Sequence, residues 1–177
     1  AGESPPTLRL ANLMQLGHNM SVDLYVDQVI AKSKLVIVRI LGGHGYWPYG
    51  IEQIAAACRQ GGQLLAILPG DDQPDPELTG FGTLDGEAAH RLWQYGLHGG
   101  PENAKQLLRY GDALLGGSMD WREPAALVRA GLYWPGIASP TIGDIQDKWV
   151  KGRPTAAVVF YRALLQAGNL AAVDALM

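Results

Sequence analysis

The stretch Lys34-Leu-Val-Ile-Val-Arg-Ile-Leu-Gly-Gly-His-Gly-Tyr-Trp-Pro-Tyr-Gly50 decides the fold of this chain. It begins with a run of branched apolar residues, Leu35 to Ile40, which predicts a strand that is buried on both faces. Glycines, a histidine and three aromatic residues follow, and a helix is expected from about Ile51. Strand, glycine turn and helix form the unit in which α/β sheets present ligand sites at the carboxyl ends of their strands. We therefore expect a functional site here.

A second strand completes a βαβ unit. The helix after the turn is alanine-rich and is predicted to end at Gly61-Gly62, because glycine terminates helices. Gln63 to Leu68 is a second apolar run, and an acidic turn follows it. The carboxyl ends of parallel strands lie at one edge of a sheet, so this acidic turn should lie beside residues 42–46.

The rest of the chain predicts helices around this unit. Helical patterns cover about 21–33, 86–97 and 101–115, and a third strand over Ala156–Tyr161 leads into a helix from Arg162. The predicted fold class is α/β, a mostly parallel sheet with flanking helices of the Rossmann-like or periplasmic-binding-protein-like kind, as a fragment of a larger multidomain chain. Three parts are expected: 1–20 as a lead-in and helix, 21–123 as an α/β domain, and 124–177 as a linker and the start of a second α/β unit.

Composition and charge exclude several classes of function. The chain has 177 residues, of which 47% are hydrophobic and 18% charged, as in ordinary globular domains. The net charge of -3 and the scattered basic residues predict neither a nucleic-acid nor a membrane partner. The single cysteine, Cys58, excludes an internal disulfide and a thiolate metal cluster. No signal-peptide pattern and no membrane-spanning apolar run is present, so we expect a soluble cytoplasmic protein.

Groups that can carry out acid-base or metal chemistry lie at the ends of the two strands. His44 could bind a divalent metal or accept a proton near neutral pH, and the acidic turn could handle a metal or protons. The alternatives are a loop histidine satisfied by hydrogen bonds and a solvated acidic loop. The catalytic candidates are His44 and Asp71, and the candidate metal ligands are His44, Asp71 and Asp75.

Candidate ligand-binding residues comprise glycines, aromatic rings, an amide and a guanidinium. The paired glycines resemble a phosphate-cradling turn but match neither a Walker nor a dinucleotide motif. The rings could stack on a flat ligand or pack in the core. Asn103 could bond to backbone or ligand, and Arg162 could pair with a substrate carboxylate or with Asp144, Asp147 or Asp174. The full set is Gly42, Gly43, Tyr46, Trp47, Tyr49, Asn103, Tyr161 and Arg162.

An ordered set of stretches resembles a known family. The stretches are Leu8-Arg-Leu-Ala-Asn-Leu-Met-Gln-Leu16, Val38-Arg-Ile-Leu-Gly-Gly43 with Tyr46-Trp-Pro-Tyr-Gly50, Leu68-Pro-Gly-Asp-Asp72, Trp134-Pro-Gly136 and Phe160-Tyr-Arg-Ala-Leu164. Together they resemble the large subunit of the ATP-dependent, aerobic cobaltochelatase, the CobN type of the CobN/magnesium chelatase family. No single piece is diagnostic, but the match runs in order through nearly all of the chain. The large subunit of magnesium chelatase is similar but more distant.

The resemblance implies an N-terminal part of a chelatase large subunit. That subunit belongs to a ligase that forms nitrogen–metal bonds, inserting cobalt(II), the substrate metal, into the corrin hydrogenobyrinic acid a,c-diamide in aerobic cobalamin biosynthesis. An AAA+ ATPase subunit and a second small chelatase subunit are the implied partners, and they, rather than this chain, use ATP and Mg. The isolated segment is expected to be inactive. The alternatives are a non-catalytic docking or scaffold module, and a magnesium chelatase large subunit that acts on protoporphyrin IX.

Overall fold

The computed structural model describes residues 7–126, 130–137 and 139–177. Its centre is the predicted βαβ unit: strand β1 (Leu35–Ile40), helix α2 (Pro48–Gly61) and strand β2 (Leu64–Pro69). The two strands pair in parallel, with the register running from Leu35 opposite Leu64 to Ile40 opposite Pro69. Pro48 lies in the first turn of α2, where its missing N–H has no helical partner to lose, and Gly62 in the left-handed conformation ends the helix.

Helices cover both faces of this small sheet. Helix α1 (Asn19–Gln28) precedes β1, and α3 (Pro76–Thr79), α4 (Gly86–His98) and α5 (Gly100–Leu114) follow β2. One apolar cluster packs α1 and α2 on the β1 side chains Val36, Val38 and Ile40. A second cluster packs α4 and α5 on the opposite face. The result is an α/β arrangement in which the described sheet has two strands.

The C-terminal part of the chain adds little to these clusters. It contains three short helices, α6 (Ile142–Gln146), α7 (Arg162–Gln166) and α8 (Ala171–Asp174). Val173 is the only residue after Tyr110 among the buried hydrophobic residues of the described chain. No helix of the described residues is both long and apolar enough to cross a membrane.

Several sequence predictions differ from the structure. The helix expected over 21–33 is α1 followed by a separate 3₁₀ turn (Ile30–Lys32), because the backbone of Val29 leaves the helical conformation. β1 is not buried on both faces throughout, since Arg39 is exposed. Ala156–Tyr161 forms no strand in the described part of the chain. A helical turn expected over 124–130 falls partly outside the described residues, and α3 was not predicted.

Candidate functional site

The turns after β1 and β2 lie side by side, as the parallel strands predict. The Gly70 amide donates to the Ile40 carbonyl at 2.7 Å, and Arg39 Nη2 donates to the Gly70 carbonyl at 3.0 Å. Gly43 adopts a φ of 70°, which is strained for other residues, and a Cβ built on it would lie 3.2 Å from Asp75 Oδ2. The carboxylate of the second turn thus lies directly against the glycines of the first.

His44 opens a 3₁₀ turn (His44–Tyr46) and lies between two elements. Its ring stacks on Phe81 with centroids 4.9 Å apart and planes within 10°. Its Nε2 lies 3.4 Å from Glu52 Oε1 on α2. That nitrogen is buried and has no hydrogen-bond partner among the described residues. A protonated His44 would therefore form an ion pair with Glu52 without any large movement.

The three aromatic residues of the turn have different environments. Tyr46 is 62% exposed and its ring lies against Gly42. Trp47 is 8% exposed, and its Nε1 donates to the Leu16 carbonyl at 3.0 Å. Tyr49 donates its hydroxyl to Asp23 Oδ1 at 2.7 Å, and this hydrogen bond raises the pKa of Tyr49. Of the three, Tyr46 alone presents a largely open ring, while Trp47 is used mainly in packing.

The acidic residues of the second turn hold the local backbone. Asp71 Oδ1 accepts from the Gln73 amide at 3.1 Å. Asp75 Oδ1 accepts from the Leu78 amide at 2.9 Å and so caps α3. The described residues contain no group of three or more His, Cys, Asp or Glu side chains that could hold a metal ion. His44, Asp71 and Asp75 therefore do not form a closed metal site among these residues, and their role as metal ligands remains a prediction.

Helix α4 runs toward the same edge of the sheet, and the remaining candidate residues follow it in the chain. It starts near the amino end of β2, where the Thr83 amide donates to the Leu65 carbonyl at 2.9 Å. Further along, Trp93 Nε1 donates to the Asp71 carbonyl at 3.1 Å. A Cβ on Gly96 would lie 3.1 Å from Arg39 Nε. The end of α4, and the turn that joins it to α5, consequently lie beyond the carboxyl ends of β1 and β2.

Asn103 holds the start of α5 to a distant segment. Its Nδ2 donates to the Gly99 carbonyl at 2.7 Å and to the Ala125 carbonyl at 2.9 Å, and its Oδ1 accepts from the Ala125 amide at 2.9 Å. The side chain is 6% exposed. Of the two predicted roles for this amide, the structure shows bonding to the backbone.

Tyr161 and Arg162 begin the short helix α7, which packs on the α4–α5 turn. Gln166 Nε2 donates to the Leu97 carbonyl at 3.0 Å. Tyr161 is 87% exposed. Arg162 forms no ion pair with any aspartate in the described part of the chain, and its Nε is buried without a hydrogen-bond partner. The predicted pairing of Arg162 with Asp144, Asp147 or Asp174 is thus not observed.

Sequence reasoning missed two basic residues at this edge. Arg39 is exposed as a whole residue, but partial burial of its guanidinium lowers its pKa, and the charge of Asp71 opposes that change. Burial also lowers the pKa of His98, and the positive charge of Arg162 lowers it further. An arginine inside an apolar strand was the one available signal, because strands of this kind seldom carry a charge. His98 stands at the end of a helix and gave no signal.

The fold and these turns define an α/β unit that presents glycine, aromatic and basic groups at the carboxyl edge of its sheet. Comparison with known proteins gives the family: residues 93–177 match the family model described as CobN/Magnesium Chelatase. The chain belongs to the CobN/magnesium chelatase family.

Three relatives illustrate the relationship. The chain is 47% identical over 167 residues to the aerobic cobaltochelatase subunit CobN of Pseudomonas aeruginosa, covering 94% of this chain and 13% of that protein. It is 40% identical over 180 residues to the protein of the same name from Sinorhizobium sp, covering 97% and 14%. A solved structure, the catalytic subunit of cobaltochelatase from Mycobacterium tuberculosis, is 31% identical with a TM-score of 0.63, covering 87% and 12%. The chain therefore spans about one seventh of the length of these relatives.

Proposed function

We propose that this chain is a segment of the large subunit of a cobaltochelatase, and that it forms part of the surface that holds the tetrapyrrole. The reaction is the insertion of cobalt(II), the substrate metal, into hydrogenobyrinic acid a,c-diamide during aerobic cobalamin biosynthesis, which makes the complex a ligase of nitrogen–metal bonds. The observation that carries the proposal is the 47% identity over 167 residues to a subunit named for this activity. The segment alone is inactive in this proposal.

The carboxyl edge of the sheet supplies groups that suit the ring. Tetrapyrroles are flat and apolar with acidic and amide substituents, so an exposed aromatic ring and cationic side chains favour binding. Tyr46 provides the exposed ring and Arg39 a guanidinium group at the end of β1, and Arg162 would provide a second guanidinium from α7, which packs on the α4–α5 turn. Insertion requires the loss of pyrrolic protons, for which His44 is the proposed base. Glu52, 3.4 Å away, would stabilise the imidazolium that results.

Metal ligation is assigned to other parts of the subunit. Transfer of a hydrated cobalt ion to ring nitrogens needs several His or carboxylate ligands near one another. The described residues contain no such group of three. Asp75 lies against Gly43 and could add one carboxylate to a site that is completed elsewhere, and Asp71 in the same acidic turn is the other candidate.

The larger context follows from the family. We propose that the βαβ unit belongs to a wider, Rossmann-like or periplasmic-binding-protein-like parallel sheet, with 21–123 as one α/β domain and 124–177 as a linker and the start of the next. An AAA+ ATPase subunit and a second small subunit hydrolyse ATP with Mg, and the complex is cytoplasmic. The name of the relatives, which describes a subunit, supports the existence of such partners.

A second candidate function is a docking or scaffold module of the same subunit. The observation that favours it is the engagement of several predicted ligand residues in internal contacts: Trp47 is 8% exposed, and Asn103 is 6% exposed with three hydrogen bonds to backbone. Retention of the two partner subunits on the immobilised chain, measured without any corrin, is expected for this function. No retention would contradict it.

A corrin titration separates the two candidates. Hydrogenobyrinic acid a,c-diamide is added to the complete subunit, and the shift of the ring's absorption band gives Kd, with protoporphyrin IX as the control ligand. Tyr46→Ala is expected to weaken binding about 10-fold, the loss typical of one aromatic contact. Leu10→Ala serves as the matched control, because Leu10 is also exposed (86%) but lies in the N-terminal segment. An unchanged Kd for Tyr46→Ala and His44→Gln would exclude the turn from the ring site, and preference for protoporphyrin would favour magnesium chelatase.

A further inference from the structure

An uncharged segment before α7 presents apolar side chains to solvent. Residues 155–161 read Thr-Ala-Ala-Val-Val-Phe-Tyr. Val158 is 42% exposed, Val159 93% and Tyr161 87%. In an extended chain the two neighbouring valines point to opposite faces, so both faces of the segment are apolar. Such a segment has the composition of an interior strand of a parallel sheet.

The backbone amides of this segment also lack partners among the described residues. The Arg153 amide donates to the Val150 carbonyl at 3.1 Å, and the next backbone amide to find a backbone acceptor is that of Leu164, at 3.0 Å from the Tyr161 carbonyl. Between them, no amide donates a hydrogen bond to another of the described residues. A strand that pairs on both sides would satisfy these groups, because each ladder bonds alternate residues.

One end of the segment is held in place. The ring of Phe160 is half-buried and meets Tyr133 edge-on, with centroids 5.7 Å apart. Tyr133 in turn donates its hydroxyl to Asp174 Oδ1 at 2.6 Å. Helix α7 follows at once, as α2 follows β1 after its turn. The order of an apolar extended segment followed by a helix is the order of a βα unit.

We propose that residues 155–161 are a strand of a second parallel sheet, and that its neighbouring strand comes from the same polypeptide outside residues 1–177. The length of the relatives supports this occupant, since this chain covers 13% and 14% of them. The absence of charge from 155 to 161 also fits burial between apolar strands rather than contact with a charged peptide. The inference rests on the proposal that the chain is a segment of a larger subunit, and not on the chelatase chemistry.

Hydrogen–deuterium exchange tests this strand directly. The complete polypeptide of the gene and the 177-residue chain are exchanged in parallel without corrin or metal, and amides 156–161 are followed by mass spectrometry. We expect exchange at these amides to be on the order of 100-fold slower in the complete polypeptide. Equal, fast exchange in both proteins would overturn the inference. A reading frame that encodes residues 1–177 alone would also overturn it. Protection in the short chain that grows with its concentration would also overturn it, in favour of pairing between two copies.

Substitutions assign the protection to strand pairing. Val159→Pro removes one amide and is expected to restore fast exchange at 156–161 in the complete polypeptide, while the amides of β1 and β2 stay protected. Leu10→Pro is the control at another exposed apolar residue and should leave 156–161 protected. If Val159→Pro unfolds the subunit, Val159→Asp and Val159→Thr replace it, and only Asp should release the segment. Unchanged protection in Val159→Pro would overturn the inference. Because no ligand is present, a failed corrin titration would not alter these outcomes.

Discussion

At the scale of single residues, the ring of Trp47 fixes the identity of its neighbour on α2. A Cβ built on Gly50 would lie 2.0 Å from Trp47 Cε2, and the ring is 8% exposed within the first apolar cluster. Gly50→Ala is expected to lower the free energy of unfolding by about 1–3 kcal/mol, because the packed ring must move. Gly86→Ala is the matched control, since nothing lies within 4 Å of its Cβ position, and it should be neutral or slightly stabilising. Urea denaturation followed by circular dichroism compares them, and equal losses would contradict the packing argument.

Asn103 shows how a predicted ligand residue acquires a structural role. Its amide makes three hydrogen bonds, one to the Gly99 carbonyl and two to the backbone of Ala125. Asn103→Ala is expected to cost about 2–3 kcal/mol in unfolding free energy, because buried backbone groups lose their partners. Asn12→Ala is the comparison, since Asn12 is exposed and caps a 3₁₀ turn with one bond, so its loss should stay at or below about 1 kcal/mol. Similar small losses of unfolding free energy in both variants would contradict this structural role of Asn103.

Tyr95 makes the free energy of unfolding depend on pH in the alkaline range. Burial, and secondarily the charge of Glu123, raise the pKa of Tyr95 to about 12 in the folded chain, against an ordinary value of 10.0. The folded state therefore keeps its phenolic proton where the unfolded chain loses it. Its contribution is fully present below pH 10 and is lost as the pH rises toward 12. Between pH 10 and pH 12, the free energy of unfolding should fall by about 1–3 kcal/mol less in Tyr95→Phe than in the parent. Tyr161→Phe, at an 87% exposed ring, should follow the parent. A parent-like slope in Tyr95→Phe would contradict this account.

At the scale of elements, the carboxylate of Asp75 has two roles that substitutions can separate. It caps α3 through the Leu78 amide at 2.9 Å, and it lies against Gly43 in the candidate site. Asp75→Asn retains a capping oxygen and should keep unfolding free energy within about 0.5 kcal/mol, whereas Asp75→Ala should lose about 1 kcal/mol. If the charge serves the tetrapyrrole or metal, Asp75→Asn will also lower the cobalt-insertion rate of the complete complex. Full activity in Asp75→Asn would restrict Asp75 to capping.

The elements that sequence predicted best are those that local physics determines. The branched run of β1 has the bounds that its pattern indicates, and the alanine-rich α2 stops at its predicted glycines but begins at Pro48 rather than at about Ile51. Helix α3 was missed because four residues show no helical period. Ala156–Tyr161 has the pattern of a strand but no pairing in the described chain, since a strand also needs a neighbour.

The site was less predictable than the fold, because its contacts join residues far apart in sequence. The parallel strands alone predicted that the acidic turn lies beside the glycines, and in the structure Asp75 lies against Gly43. The bond between Asn103 and Ala125 joins positions 22 apart, across the rest of α5 and the irregular chain after it, and no pattern indicates it. The approach of Arg39 to Gly96 likewise depends on α4 running back to the carboxyl edge after the Thr83 turn. Chemistry-bearing residue types were visible in the sequence, while their partners were not.

At the scale of the whole molecule, stability is concentrated in the first two thirds of the chain. Both apolar clusters are built from residues between Leu13 and Trp121, and the later helices α6, α7 and α8 have four or five residues each. Brief trypsin treatment of the 177-residue chain should therefore cut first at the exposed Lys148 and Lys151, and not after Arg153, because Pro154 follows it. Arg39 lies in β1, and cleavage there requires opening of the sheet, so it should be cut much later.

Mass spectrometry of timed digests measures this order. A stable product that begins near the N-terminus and ends at Lys148 or Lys151 is expected, and its far-ultraviolet circular dichroism should retain most of the helical signal, because α1 to α5 remain in it. In the complete polypeptide the same bonds should resist trypsin if the segment after them is paired in a second sheet, since cleavage needs an open backbone. Early cuts within α2 or β2 of the short chain would show that these clusters do not hold together without the remainder of the subunit. Such a result would move the source of stability from the βαβ unit to contacts outside it.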